Sequence, residues 1–179
     1  MLKVKSGEVD KLGLLYERYK KMLLGFFFKM NHDLAASEDL VQNVFVRILK
    51  YKHTFTGSGK FSTWMYHLAR NMYYDQYRKN KKESNKVSVD SVSYKLIDGA
   101  SMEAQLDDTE RQLQLKRALN EVHPEKRELL ILSRYQDLRY QEIAEITGMS
   151  EGAVRVKIHR TLKELKDIFF TLENTHHGY

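Results

Sequence analysis

The sequence predicts an all-α chain: two small helical domains joined by a flexible linker, the second carrying a helix-turn-helix. Three observations carry this. One proline and nine glycines in 179 residues, among many Leu, Lys, Glu, Arg and Gln, leave few helix breakers. Apolar residues recur at helical spacing in two blocks, separated by a stretch of weak periodicity rich in Ser, Asn and Asp. Residues 140–165, YQEIAEITGMSEGAVRVKIHRTLKEL, scan as a short helix, a tight turn and a longer basic helix. The predicted boundaries are 1–83 for the first domain, 84–108 for an acidic linker and 109–179 for the second domain with its short tail.

Taken in order, residues 9–30 read as a helix, with Leu12, Leu15, Tyr16, Tyr19, Leu23, Phe26, Phe27 and Met30 at helical spacing. Phe26, Phe27 and Phe28 are consecutive, so one of them meets a neighbouring helix or stays partly exposed. Residues 31–36 form a short connection. Ser37 is the predicted N-cap of a helix over 38–51, with Leu40, Val41, Val44, Phe45, Ile48 and Leu49 inward. The other side of that helix offers Asp39, Gln42, Asn43, Val46, Arg47 and Lys50. By composition alone it is an ordinary solvated face.

Residues 53–60, HTFTGSGK, are a loop by their Gly and Ser content. The GSGK piece is not a phosphate-binding loop. Thr54 stands where the first glycine is needed, and Phe61 follows the lysine in place of Ser or Thr. A long helix over 61–82 comes next, with Phe61, Met65, Leu68 and Met72 as its inner stripe. Trp64, Tyr66, His67, Arg70, Asn71, Tyr74, Tyr77 and Arg78 crowd the rest of it. Rings interleaved with cations suit single-stranded nucleic acid, where stacking is worth roughly 1–3 kcal/mol per base. Some of these rings must instead pack on the first two helices, and Trp64 is expected to divide between core and surface.

Beyond the linker, which has room for a transient helix near residues 102–106, order resumes over 109–122 with Leu113, Leu115, Leu119 and Val122. Pro124 fits the first turn of a helix over 125–135, with Leu129, Leu130 and Leu132 inward. In the helix-turn-helix, Ile143, Ala144 and Ile146 give the support helix an apolar face. Gly148 turns the chain, Ser150 caps the second helix and Glu151 complements its dipole. Val154, Ile158, Leu162 and Leu165 form one buried stripe, leaving Arg155, Val156, Lys157, His159, Arg160 and Lys163 outward. Such a helix can enter a major groove by its N-terminal half. The bland alternative is an αα-hairpin with a solvated basic face.

Charge is segregated beyond the net +6. Between residues 50 and 86, nine Lys or Arg face only Asp75 and Glu83; between 87 and 110, Lys95 stands alone against six acidic residues. The basic segment attracts a polyanion and the acidic one avoids it. The absence of cysteine excludes disulfides and thiolate metal sites, and no apolar run reaches the length of a membrane span. The N-terminal stretch lacks a signal-peptide core, so a cytoplasmic protein is expected. His176 and His177 have no partner at ligand spacing, and no metal, cofactor or catalytic constellation is expected.

At this point the sequence resembles the extracytoplasmic-function (ECF) class of bacterial RNA polymerase sigma factors, over about residues 9–82 and 109–172. Three motifs carry the resemblance. DLVQNVFVRIL, residues 39–49, is similar to the helix that binds the β′ clamp of the polymerase. FTGSGKFSTWMYHLARN, residues 55–71, resembles the promoter-melting segment. HPEKRELLILSRY with the helix-turn-helix is similar to the domain that reads the −35 element.

The resemblance implies a transcription initiation factor without catalytic activity. It binds core polymerase through the β′ clamp and β flap, recognises the −35 and −10 promoter elements, and promotes melting. It implies polymerase contact or its support at Asp39, Gln42, Asn43, Phe45 and Arg47. For −10 DNA it implies Phe55, Thr56, Gly57, Ser58, Gly59, Lys60, Phe61, Trp64, Arg70 and Asn71. For −35 DNA it implies Ser150, Ala153, Arg155, Val156, Lys157, His159 and Arg160. An anti-sigma factor is the implied regulator, with no direct membrane insertion.

The chain departs from the family pattern in places. Asn43 replaces a usual Glu, Arg139 a usual Ser or Thr cap, and Asp137 a usual Gly. Val156 and His159 occupy positions that vary with promoter sequence. The alternative function is a stand-alone helix-turn-helix regulator whose N-terminal half dimerises or senses a signal.

Overall fold

The computed structural model describes residues 1–84 and 104–176, and among them every regular element is helical. A short α1 (Leu2–Lys5) precedes α2 (Leu12–Asn31), α3 (Leu34–Tyr51) and α4 (Phe61–Ser84). These make the first domain. The second contains α5 (Ala104–Glu121), α6 (Pro124–Arg134), α7 (Tyr140–Thr147) and α8 (Glu151–His176).

The first domain is a three-helix bundle. Leu23, Phe26, Phe27 and Met30 of α2 meet Leu40, Val44 and Ile48 of α3 and Met65, Ala69 and Met72 of α4, all buried. Each such aliphatic or aromatic side chain contributes roughly 1.5–3 kcal/mol by leaving water. Of the three consecutive phenylalanines, Phe26 and Phe27 are buried while Phe28 is half-exposed, with Lys116 Nζ 5.5 Å over its ring.

Several boundaries differ from expectation. Helix α3 begins four residues before the predicted Glu38. Its cap is Asp33, whose Oδ1 accepts the Ala36 N–H at 3.0 Å. Ser37 is fully buried inside the helix, and its hydroxyl donates to Asp33 O and to Asn31 Oδ1. Asp33 wins because its carboxylate reaches the third amide at the helix start, a stronger acceptor than a hydroxyl. Residues 9–11 form a 3₁₀ turn ahead of α2, and α8 runs on to His176. Helix α5 starts at Ala104, five residues before the expected start at 109. The rest of the linker, residues 85–103, lies outside the described residues.

The two domains pack against each other, which neither periodicity nor charge suggested. Helix α4 contacts α7, and α2 contacts α6. Arg127, buried on α6, donates through Nη1 to Met30 O at the end of α2, 3.0 Å away. Lys29 Nζ lies 4.2 Å from the centre of the Tyr135 ring. Tyr66, assigned outward from its spacing, is fully buried in this seam and donates its hydroxyl to Gln136 Oε1.

Candidate polymerase and nucleic-acid interfaces

Three surfaces hold the residues singled out from the sequence. The first is the outer face of α3. Asp39, Gln42 and Asn43 are exposed there, and Val46, one turn beyond Gln42 and Asn43, is 63% exposed, an apolar residue beside polar ones. Arg47 is half-exposed and its Nη2 lies 3.4 Å from Asp75 Oδ2 of α4. Phe45 is buried, its ring edge-on to Tyr16 at 4.9 Å, and so supports the α3 face from within.

The second surface runs from the 55–60 loop onto α4. Thr56, Gly57, Ser58, Gly59 and Lys60 are all exposed. Gly57 has a φ of +85°, and a Cβ there would stand 3.1 Å from Leu2 Cδ2, so only glycine fits without strain. Phe55, expected among the DNA-facing residues, is buried beneath the loop. Its ring lies 5.4 Å from Trp64 and 6.0 Å from Phe61, and its carbonyl accepts from Lys5 Nζ at 2.7 Å. It is the anchor of the loop. Trp64 is half-buried as expected, and its indole N–H donates to Thr54 Oγ1 at 3.2 Å. Beside it opens a cleft of about 980 Å³ reached by Trp64, His67, Asn71 and Arg78, with His123 to Glu125 of the second domain along one side.

Two cations of this surface are held by the second domain. Arg70 Nε lies 3.0 Å from Glu128 Oε1, and Tyr74 donates to Glu128 Oε2 at 3.0 Å. Burial pushes the Glu128 carboxyl up, and Arg70 and Tyr74 offset only part of that. Lys60 Nζ reaches Glu142 Oε1 at 2.7 Å. Burial opposes the Glu142 charge, but the bonds from Lys60 and the Arg139 amide outweigh it and hold this carboxyl below its ordinary range.

The third surface is the helix-turn-helix. Gly148 takes the left-handed conformation at φ 72°, and its N–H closes the support helix on Ala144 O at 2.9 Å. Ser150 Oγ accepts the Ala153 N–H at 3.2 Å and so caps α8. Val154 and Ile158 are buried, Leu162 and Leu165 half-buried. Arg155, Val156, Lys157, His159 and Arg160 are exposed on one end of α8, with Ala153 half-buried at its root. Arg155 Nη2 lies 3.2 Å from Glu151 Oε1, with both side chains largely in solvent.

At the start of α7, Glu142 Oε2 accepts the Arg139 N–H at 2.9 Å; an arginine side chain cannot return the favour, so half of a capping exchange serves. Asp137 adopts φ 51°, the left-handed turn conformation a glycine would take more easily.

Glu128, Gln136 and Glu142 escaped the sequence reading. One signal was available: Glu128 lies four residues before Leu132, on the inward stripe of α6, where a carboxylate needs a partner.

With this geometry in place, comparison with known proteins gives the class. Residues 15–83 match Sigma-70 region 2, and residues 112–165 match Sigma-70, region 4. The chain belongs to the sigma-70 family of RNA polymerase sigma factors, in its ECF class.

Among its relatives is RNA polymerase sigma factor YlaC of Bacillus subtilis, 31% identical over 159 residues, 88% of this chain and 91% of the relative. ECF RNA polymerase sigma factor SigX of the same organism is 30% identical, over 86% of this chain and 80% of its own. The fold is shared with the sigma factor RpoE from Bartonella quintana, solved with the anti-sigma factor NepR. That match has a TM-score of 0.67 at 24% identity and covers 89% of this chain and 94% of the other. It is shared too with CnrH, solved with the cytosolic domain of CnrY, with a TM-score of 0.70 at 19% identity over 95% and 94%. The protein is a transcription initiation factor, and these matches do not favour a stand-alone regulator.

Proposed function

We propose that the three surfaces divide the work of initiation. The α3 face docks on the β′ clamp of core polymerase through Asp39, Gln42 and Asn43, with exposed Val46 beside them. The exposed loop 56–60, with Trp64, Arg70 and Asn71 on α4, takes the melted −10 strand, and Phe55 and Phe61 hold that loop. The start of α8 reads the −35 major groove through Arg155, Val156, Lys157, His159 and Arg160. The β flap receives the second domain, an anti-sigma factor serves as regulator, and the site of action is the cytoplasm.

The observation that carries this reading is the coexistence of two separate exposed faces. One is polar with an exposed valine beside it, suited to a protein; the other is a basic recognition helix, suited to duplex DNA. A stand-alone regulator needs only the second. The test is co-migration on a sizing column: the chain is expected to elute with core polymerase and to bind promoter duplex far more tightly in that complex than alone. A chain that binds duplex equally well without polymerase contradicts the reading.

A further inference from the structure

Residues 1–8 precede the part of the chain that matches Sigma-70 region 2, which begins at residue 15. They nevertheless fold onto the loop ahead of α4. Val4 is fully buried, Met1 packs on the core, and α1 lies against the 3₁₀ turn Lys52–Thr54. Gly7, at φ 115°, turns the chain back so that the Glu8 N–H reaches Lys3 O at 2.9 Å. Two contacts tie this segment to the loop. Lys5 Nζ donates to Phe55 O at 2.7 Å, and among the described residues it is the one donor from another element that reaches the 55–59 backbone. Leu2, 58% exposed, lays its methyl groups against Gly57, where a Cβ would stand 3.1 Å from Leu2 Cδ2 and 3.7 Å from Cδ1.

A loop with Gly57 and Gly59 has many conformations to lose, and capture of an unpaired base requires one of them. Thr56 and Ser58 bond to each other, hydroxyl to hydroxyl at 2.7 Å, which shapes the tip but does not fix it to the domain. Phe55 anchors the loop from beneath; Lys5 and Leu2 hold it from the side. We infer that residues 2–5 are a positioning element of the −10 site. Lys5 holds the Phe55 carbonyl and Leu2 the Gly57 turn, so the loop meets the unpaired base already formed. The inference rests on the assignment of the 56–60 loop to the melted strand. The Lys5 bond is charge-assisted and so stronger than a neutral one. A neutral side chain there leaves the carbonyl to water and the loop free to spread. A loosened loop loses base discrimination before affinity, because phosphate contacts made elsewhere on α4 carry no sequence information.

The probe is a forked promoter, its −35 duplex fixed and its −10 positions single-stranded and randomised, bound by the complex of this chain with core polymerase. Its upstream sequence comes from a promoter whose start site depends on the chain. Enrichment of bound over unbound sequences gives the base preference at each position. Lys5, exposed and outside every hydrophobic contact of the core, is replaced first. Lys5→Met is expected to flatten the preference at the position the loop reads by at least about tenfold, the scale of a lost hydrogen bond to a charged group. Its melting temperature, retention on core polymerase and affinity for −35 duplex are expected to match wild type. Lys5→Arg keeps a cationic donor and is expected to restore the preference, while Leu2→Ala is expected to flatten it as Lys5→Met does.

Three results overturn the inference. One is a wild-type preference in Lys5→Met or in Leu2→Ala. Another is a loss with Lys5→Met that Lys5→Arg does not restore. The third is an equal loss across all sequences with a lower salt slope, which makes Lys5 a direct phosphate contact instead. Thr56→Val with Ser58→Ala judges the underlying reading separately. If that variant flattens the preference while Lys5→Met does not, the role of residues 2–5 falls and the loop stays on the strand. If it too keeps the wild-type preference, both assignments fall.

Discussion

Arg70 on α4 and Glu128 on α6 stand 58 positions apart in the chain, and Nε of one lies 3.0 Å from Oε1 of the other. This contact crosses from the first domain to the second. It adds a specific charged contact to a seam that also joins buried apolar residues of both domains, and it places α6 beside the helix that carries Trp64 and Asn71.

Asp39 and Gln42 are exposed on α3 opposite the buried Leu40, Val44 and Ile48. Asp39→Ala with Gln42→Ala is expected to leave thermal stability within about 0.5 kcal/mol, as surface changes do. Binding to core polymerase is expected to weaken at least about tenfold, roughly 1.4 kcal/mol. Unaltered retention in a pull-down with core enzyme removes the α3 face from the interface.

Asn71 is half-buried on α4, with Nδ2 3.5 Å from His67 Nδ1, and it edges the cleft beside Trp64. Asn71→Ala is expected to reduce open-complex formation on duplex promoter and to matter less on a pre-melted bubble. Permanganate reactivity of unpaired thymines reads the difference. Equal losses on both templates mark Asn71 as structural.

Arg155 and Arg160 differ by roughly 140° around α8 at about 100° per residue, so they cannot serve one base pair alike. The Arg155–Glu151 pair, largely in solvent, is worth at most about 1 kcal/mol and leaves the guanidinium free to turn to DNA. Arg155→Ala is expected to erase ~1–3 kcal/mol of discrimination among −35 variants. Arg160→Ala is expected to weaken all sequences alike and lower the salt slope by about one unit. An unchanged ranking of −35 variants with Arg155→Ala disproves its base-reading role.

Tyr66 is fully buried and donates to Gln136 across the seam. Tyr66→Phe keeps the ring but strands a buried amide oxygen, a cost of about 1–3 kcal/mol. Urea unfolding of both chains measures it, and a stability equal to wild type means the two domains do not stay packed in solution.

His32 ends α2 in the left-handed conformation, φ 57°. Burial, then the charges of Arg127 and Lys116, lowers its pKa to about 4, against a partial counter-effect from Asn120. The imidazole is neutral in the folded chain and takes up a proton first in the unfolded one. Stability is therefore fully present above pH 6.5 and falls as the pH drops toward about 4. His32→Asn tolerates the same φ and is expected to flatten that part of the stability curve. Parallel curves for the two proteins between these pH values contradict the assignment.

What could be read from the sequence was what depends on near neighbours. Gly148, Ser150 and the Val154–Ile158 stripe all act within a few residues of themselves, so the helix-turn-helix was legible whole. The start of α3 was not, because Leu34, Ala35 and Ala36 are exposed or half-exposed and give no apolar signal, while Asp33 caps from further back. Phe55 looked like a loop residue by its neighbours Thr56 and Gly57; only the fold brings Trp64 and Phe61 over it. Tyr66 and Glu128 were hardest, since each is explained by a partner in the other domain. Helical spacing tells which face a residue occupies and is silent on what covers that face.

The most direct measurement of the central claim is transcription in vitro by core polymerase on a pool of genomic fragments, with transcript 5′ ends mapped with and without this chain. The account predicts start sites that appear only with the chain, share paired upstream elements at −35 and −10, and vanish with Asp39→Ala plus Gln42→Ala. Absence of any chain-dependent start site, or starts that persist in that variant, would contradict it.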